Sequence, residues 1–257
     1  ISHMSNMDTT SYCQSHWKIT CQQIGLSLDL INKWWSRLLT EFNRPGRHYH
    51  TLQHIQELME LTIRFSHMIT DRVSIVMAIY FHDVIYDPQS NCNEDRSISF
   101  FHSFVNDCNS TQLNQCSETV VSMIEMTKTH EVDLRDCFDK LLFRDFDMAI
   151  LGSTSVRYEE YALQVREEYS HVPLEIYCSR RADFLRHCAI GTKPIFVTEV
   201  MRQSFEEQAK ANLIYECSFL DRGMLPGGEI LHTKMIPWGL IFPFVPLIAV
   251  LYLRHKT

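Results

Sequence analysis

Glycine is scarce in this chain, 8 of 257 residues where ~7% is usual, and no run alternates apolar and polar residues over a strand's length. A many-stranded sandwich or barrel needs turn glycines and period-2 strands, so both absences favour helices. No basic stretch interleaved with aromatics occurs, and the formal net charge is −7. Long nucleic acid is therefore a disfavoured partner, though a local phosphate site is not. The nine cysteines form no CxxC pair and no regular framework. That pattern fits free thiols in a reducing, cytoplasmic compartment better than a disulfide scaffold. No secretory leader is read.

What is present is the composition of a folded globular protein, 45% hydrophobic and 21% charged, in a chain long enough for a sizeable core. Residues 1–4, "ISHM", look like a cloning remnant, and residues 1–9 are set aside as remnant and tail. Residues 28–42 place Leu28, Ile31, Trp35, Leu38 and Phe42 at helical spacing, and "NRPGR" breaks the pattern. A second helix is expected from Tyr49 to Met68. A third, over 71–86, is apolar nearly all round, as a central buried helix would be. Asn93 and Ser117 are read as caps of a fourth and fifth. A sixth covers 138–151 and stops at a terminating Gly152, and three more cover 155–170, 174–189 and 198–217. The expected architecture is all-α, one domain over 10–217, with a linker over 218–234. Residues 235–257 are a hydrophobic C-terminal segment, uncharged from Met235 to Leu253 with basic flanks. That length suits a membrane anchor, whereas Pro237, Pro243 and Pro246 suit an irregular apolar tail packed on the domain or on a second copy.

Four places offer metal-ligating side chains near helix ends. "RHYHTLQHI", residues 47–55, carries His50 and His54 four apart, one turn apart on a shared helical face. "MAIYFHDVIYDP", residues 77–88, ends an apolar run on His82-Asp83, and a carboxylate there is costly without a partner. "TKTH" supplies Lys128 and His130. "FRDFDMAILG" interrupts an apolar helix with Asp145 and Asp147. Singly each has a bland reading: a core histidine, a cap, an ion pair of Asp145 with Arg144 or Arg135. Jointly, imidazoles and carboxylates at several inward helix ends are what a divalent cation needs.

The order His, His-Asp, Asp on a helical core resembles the HD superfamily of metal-dependent phosphohydrolases. The likeness to a branch of predicted bacterial-type HD phosphohydrolases runs through "RHYHTLQHI", "AIYFHDVIYDP", "NEDRS", "MTKTH", "DFDMAILG", "YEEYALQVREEY" and "SFEEQAKANLIYE", covering about residues 25–217. The resemblance implies metal ligands His54, His82, Asp83 and Asp145, with Asp147 competing for the last place. It also implies His50 as general acid, by likeness to cyclic-nucleotide phosphodiesterases. Glu94 is a candidate for orienting the attacking water, with a first-turn acid favoured by the helix dipole as its bland alternative.

Phosphate needs cationic donors, and Arg47, Lys128 and His130 are the candidates. One or two ions per chain are expected, with His50 and His130 as spare ligands for a second. Manganese is favoured, and magnesium, zinc, iron and nickel are alternatives. The implied activity is hydrolysis of a phosphoester or phosphoanhydride bond in a small phosphorylated molecule, a nucleotide by preference. The alternative is a non-catalytic, nucleotide-binding HD module acting as a sensor, tied to a membrane or partner, or to a second copy, through the C-terminal segment.

Overall fold

Short polar side chains start most of these helices by accepting the orphan amides of the first turn. The computed structural model describes residues 8–227, and ten α-helices form among them, with no strand. They are α1 (Thr9–Gln23), α2 (Leu28–Phe42), α3 (Leu52–Arg64), α4 (Arg72–Phe81), α5 (Asn93–Cys108), α6 (Thr111–Met126), α7 (Phe138–Asp147), α8 (Ser155–Glu168), α9 (Leu174–Ile190) and α10 (Glu199–Leu220). Asp8, Ser27, Thr51, Asp71, Ser110 and Thr154 each cap a helix N-terminus with a side-chain oxygen. The all-α expectation holds. The C-terminal segment 235–257, residues 228–234 of the expected linker and residues 1–7 lie outside the described residues. No helix among the described residues is long and apolar enough to cross a membrane.

Where one domain over 10–217 was expected, the backbone forms two compact units. The first comprises residues 8–87 and Cys92–Phe146. Its centre is α4, which packs against α3, α5 and α6. Every residue of α4 from Ser74 to Phe81 is fully buried, so the apolar-all-round run does become a central helix. Around it Trp17, Tyr80, Phe81, Phe101 and Phe104 meet with ring centroids 5.1–6.3 Å apart where they touch. Each such side chain contributes about 1.5–3 kcal/mol by burial. The polar tips within the cluster are satisfied: Tyr80 Oη donates to Cys13 O at 2.6 Å and Trp17 Nε1 to Ile31 O at 3.1 Å.

The second unit comprises Pro88–Asn91 and residues from Asp147 onward. Within it α10 packs on α9, on α8 and on the 3₁₀ turn Met148–Gly152. Its interior holds a buried ion pair. Glu216, 1% exposed, receives Tyr158 Oη at 2.6 Å, Arg181 Nη2 at 3.1 Å and Arg181 Nε. Asn212 ties α10 to the turn by donating to Leu151 O and Ser153 O, both at 2.9 Å.

Several boundaries differ from expectation for identifiable reasons. Helix α1 adds an element before residue 28, burying Cys13, Trp17, Thr20 and Cys21 on one face. Helix α6 begins under Ser110, whose Oγ accepts Leu113 N, so Ser117 lies inside it. Gly152 is not a left-handed terminator, since it is absent from the positive-φ glycines. A Cβ there would meet Phe205 O at 2.6 Å, and close approach of α10 is what demands glycine.

A fourth difference shapes the site. Helix α4 ends at Phe81, although the apolar pattern runs to residue 86. Beyond it the backbone finds partners other than helical ones. Ser97 Oγ accepts Ile85 N at 3.1 Å, and Asn93 accepts Asp87 N at 3.1 Å and donates to Asp87 O at 2.9 Å. Asn93 thus ties down this turn, and α5 starts at Asn93 itself without a side-chain cap.

Candidate metal centre

The end of α4, the start of α3 and the turn before it converge in the first unit. His82 caps α4 at its C-terminus and Asp83 follows in the turn. His54 lies in the first turn of α3, while His50 precedes the Thr51 cap and so stands in a turn rather than on the helix. Both His54 and His82 are 1% exposed. Their Nε2 atoms are 3.1 Å apart. Asp83 Oδ2 lies 3.1 Å from His82 Nε2, 3.8 Å from His54 Nε2 and 3.9 Å from His50 Nε2.

The other ring nitrogens define what these atoms offer. His82 Nδ1 is 2.9 Å from Ile79 O. A carbonyl only accepts, so Nδ1 carries the hydrogen, and Nε2 of the neutral ring is a bare lone pair. That lone pair faces the acceptor oxygen of Asp83. The same lone pair lies 3.1 Å from His54 Nε2, so it is shared between a second imidazole and the Asp83 carboxylate. His54 Nδ1 meets Tyr49 Oη at 3.0 Å, the second contact that orients a ligating imidazole.

The spacings suit a metal. Bonds of about 2.0–2.2 Å put adjacent ligand atoms roughly 3.0 Å apart in an octahedron and roughly 3.4 Å apart in a tetrahedron. Two of the three edges of the His54, His82, Asp83 triangle fall in that range, and the third is slightly wider. The donor set of two imidazoles and a carboxylate fits a divalent transition ion.

The aspartate pair of α7 divides its labour. Asp145 is fully buried and accepts Arg144 Nη1 at 3.0 Å. Asp147, the last residue of α7, whose other residues lie in the first unit, offers a carboxylate oxygen that groups with ring nitrogens of His54 and His82, all within 4.8 Å of one another. The competing aspartate thus has an oxygen within reach of the two histidines.

Two of the three expected phosphate donors, Arg47 and Lys128, are engaged elsewhere. Arg47, 9% exposed, donates Nη1 to His50 O and Asp83 O, each at 2.8 Å, and Nη2 to Val84 O at 2.7 Å. Lys128 Nζ pairs with Asp95 Oδ1 at 2.5 Å. His130 adopts left-handed backbone, φ 54°, just past α6, and its carbonyl accepts Arg144 Nε at 3.2 Å. Glu94 is 4% exposed. Burial raises its carboxyl above the ordinary value, the Asp83 carboxylate adds to the rise, and Lys128 opposes it. Asp83 and Lys128 therefore both act on Glu94.

Two contributors escaped the sequence reading. Tyr49 orients His54, and Tyr86 stacks on the His50 ring with centroids 4.0 Å apart and planes 25° from parallel. Tyr49 adjoins His50 and Tyr86 lies three residues past Asp83, but only the folded turns bring the rings together. Comparison with protein-family models, with curated proteins and with solved structures finds no match to this chain.

Proposed function

We propose that this chain is an HD-type metal-dependent phosphohydrolase acting on a small phosphorylated molecule, a nucleotide by preference. The observation that carries the reading is the facing of the His82 Nε2 lone pair and Asp83 Oδ2 at 3.1 Å, with His54 Nε2 at the same distance from that nitrogen. His54, His82 and Asp83 would hold the cation, with Asp147 as a further carboxylate within reach. Manganese is the favoured ion, and magnesium, zinc, iron and nickel share the donor chemistry. Bound there, a divalent cation supplies a water of lowered pKa and neutralises non-bridging phosphate oxygens.

The chain's own groups do the rest. His50 is 21% exposed at its side chain, so its Nε2 can hold a proton and deliver it to the leaving oxygen. Its ring is fixed for that by the Tyr86 stack. Glu94, whose carboxyl is raised by burial, retains a proton to higher pH than an ordinary glutamate and can orient a water by hydrogen bonding. The low exposure of His54 and His82 keeps bulk water off the ligand atoms, which strengthens every charge interaction there.

Metal content by plasma mass spectrometry on wild type and Asp83→Ala, followed by turnover of a panel of nucleotides and other phosphorylated metabolites with added Mn²⁺, tests the reading. About one or two ions per chain, lost in the variant together with turnover, supports it. Turnover that survives Asp83→Ala sinks the site. Metal and nucleotide binding without turnover favours the sensor module instead.

A further inference from the structure

Arg47, a cation that touches both site segments, spends donors on their backbone. Arg47 stands in the loop between α2 and α3, and its guanidinium is nearly enclosed. One nitrogen, Nη1, donates at 2.8 Å to the carbonyl of His50 and at 2.8 Å to the carbonyl of Asp83. These are the two residues whose side chains meet at 3.9 Å, Nε2 to Oδ2. Nη2 takes the carbonyl of Val84 at 2.7 Å. The guanidinium carbon also lies over two rings, 5.2 Å from Phe42 and 5.6 Å from Tyr86. Tyr86 in turn stacks on His50. A planar fork with fixed donor directions, packed against two rings, is what arginine provides and lysine does not. His50 sits in a turn and Asp83 in another, and Arg47 is a contact that the two turns share.

We propose that Arg47 is a positioning residue: by holding the His50 and Asp83 carbonyls on one nitrogen, it sets the separation of the His50 ring and the Asp83 carboxylate. The assignment rests on the metal reading above and replaces a direct grip on substrate phosphate. The three carbonyls take up donors that a phosphate would need, and the surrounding rings leave the cation 9% exposed. A loosened clamp lets the Asp83 turn drift, and the first thing lost is the arrangement of carboxylate against imidazole.

The test uses the full chain and two probes. Mn²⁺ affinity is measured by calorimetry on wild type, Arg47→Lys and Phe42→Leu, and inorganic phosphate affinity is then measured at saturating Mn²⁺. Circular dichroism on the metal-free proteins reports folding. Arg47→Lys keeps the charge and breaks the fork, so Mn²⁺ binding should weaken by about 10–100-fold, the usual cost of losing a supporting contact, with phosphate affinity of the loaded protein unchanged. Phe42→Leu keeps every hydrogen bond and loosens only the seat. It should show a smaller loss of Mn²⁺ affinity, and it carries the test if Arg47→Lys does not fold. Mn²⁺ affinity equal to wild type in a folded Arg47→Lys overturns the clamp. A selective loss of phosphate affinity also overturns it and restores direct substrate binding. Wild type that binds no Mn²⁺ at all overturns the metal reading, a result separate from either.

Discussion

His82 and Asp83 are chain neighbours whose acceptor atoms face each other at 3.1 Å, because the hydrogen bond from His82 Nδ1 to Ile79 O turns Nε2 toward the carboxylate. Substituting Asp83→Asn replaces an acceptor oxygen by an amide that can donate to that lone pair. The metal-free variant is therefore expected to melt no lower than wild type. Wild type should gain about 2.7 kcal/mol at a free Mn²⁺ concentration 100 times its Kd, and the variant should lose most of that gain. Thermal unfolding with and without Mn²⁺ reads both effects, and a variant that is stabilised as much as wild type would remove Asp83 from the ligand set.

The two aspartates of α7 should separate cleanly. Asp147→Asn is expected to weaken Mn²⁺ binding with little effect on metal-free stability, since its oxygen groups with the two histidines. Asp145→Asn should instead destabilise the fold by about 1.5–3 kcal/mol, because it weakens a charge-assisted bond with Arg144 at a fully buried position. Calorimetry and urea unfolding on both variants check the assignment, and the reverse pattern would return Asp145 to the metal.

In the second unit, Arg181→Met leaves the Glu216 carboxylate buried with only Tyr158 as a remaining donor among its bonds described above. Removing one partner of a buried pair costs about 3–5 kcal/mol. The double change Arg181→Met with Glu216→Leu should recover part of that loss, since the uncompensated charge goes too. Equal losses in the single and double variants would show that packing, not charge, dominates there.

Glu206 makes a pH-dependent contribution of definite sign. Burial alone would raise its carboxyl, but the Ile195 and Phe196 amides at 3.0 and 3.1 Å, with Lys210, outweigh it and the folded pKa lies below the ordinary 4.5. A depressed folded pKa stabilises above the unfolded value, and that stability is lost as pH falls through the folded one. Wild type and Glu206→Gln should accordingly differ most at neutral pH and converge on acidification below 4.5. Denaturant unfolding across that range is the measurement, and a constant gap would exclude the linkage.

Gly152→Ala should destabilise by about 1–3 kcal/mol through overpacking, since the new Cβ would lie 2.6 Å from Phe205 O and 2.7 Å from Phe205 Cβ. A neutral effect on the melting temperature would mean that α10 can shift away from the turn.

The sequence by itself determined the fold class, because periodicity at 3.6 residues and the shortage of glycine are local properties. It also determined the central helix, whose residues from Ser74 to Phe81 are apolar enough to be buried on every side. The candidate ligands His54, His82 and Asp83 stood out for a similar reason, since polar groups closing apolar runs need partners. Helix α1 was harder to read: Cys13, Trp17 and Cys21 mark its buried face among mostly polar neighbours. The point where α4 stops was decided only in three dimensions. Its apolar pattern continues to residue 86, but Arg47, Asn93 and Ser97 reach in from distant segments and take the carbonyls and amides of residues 83–87. The grouping of Asp147 with the histidines was likewise tertiary: residues two apart on a helix look in different directions, and local sequence does not say what either of them meets.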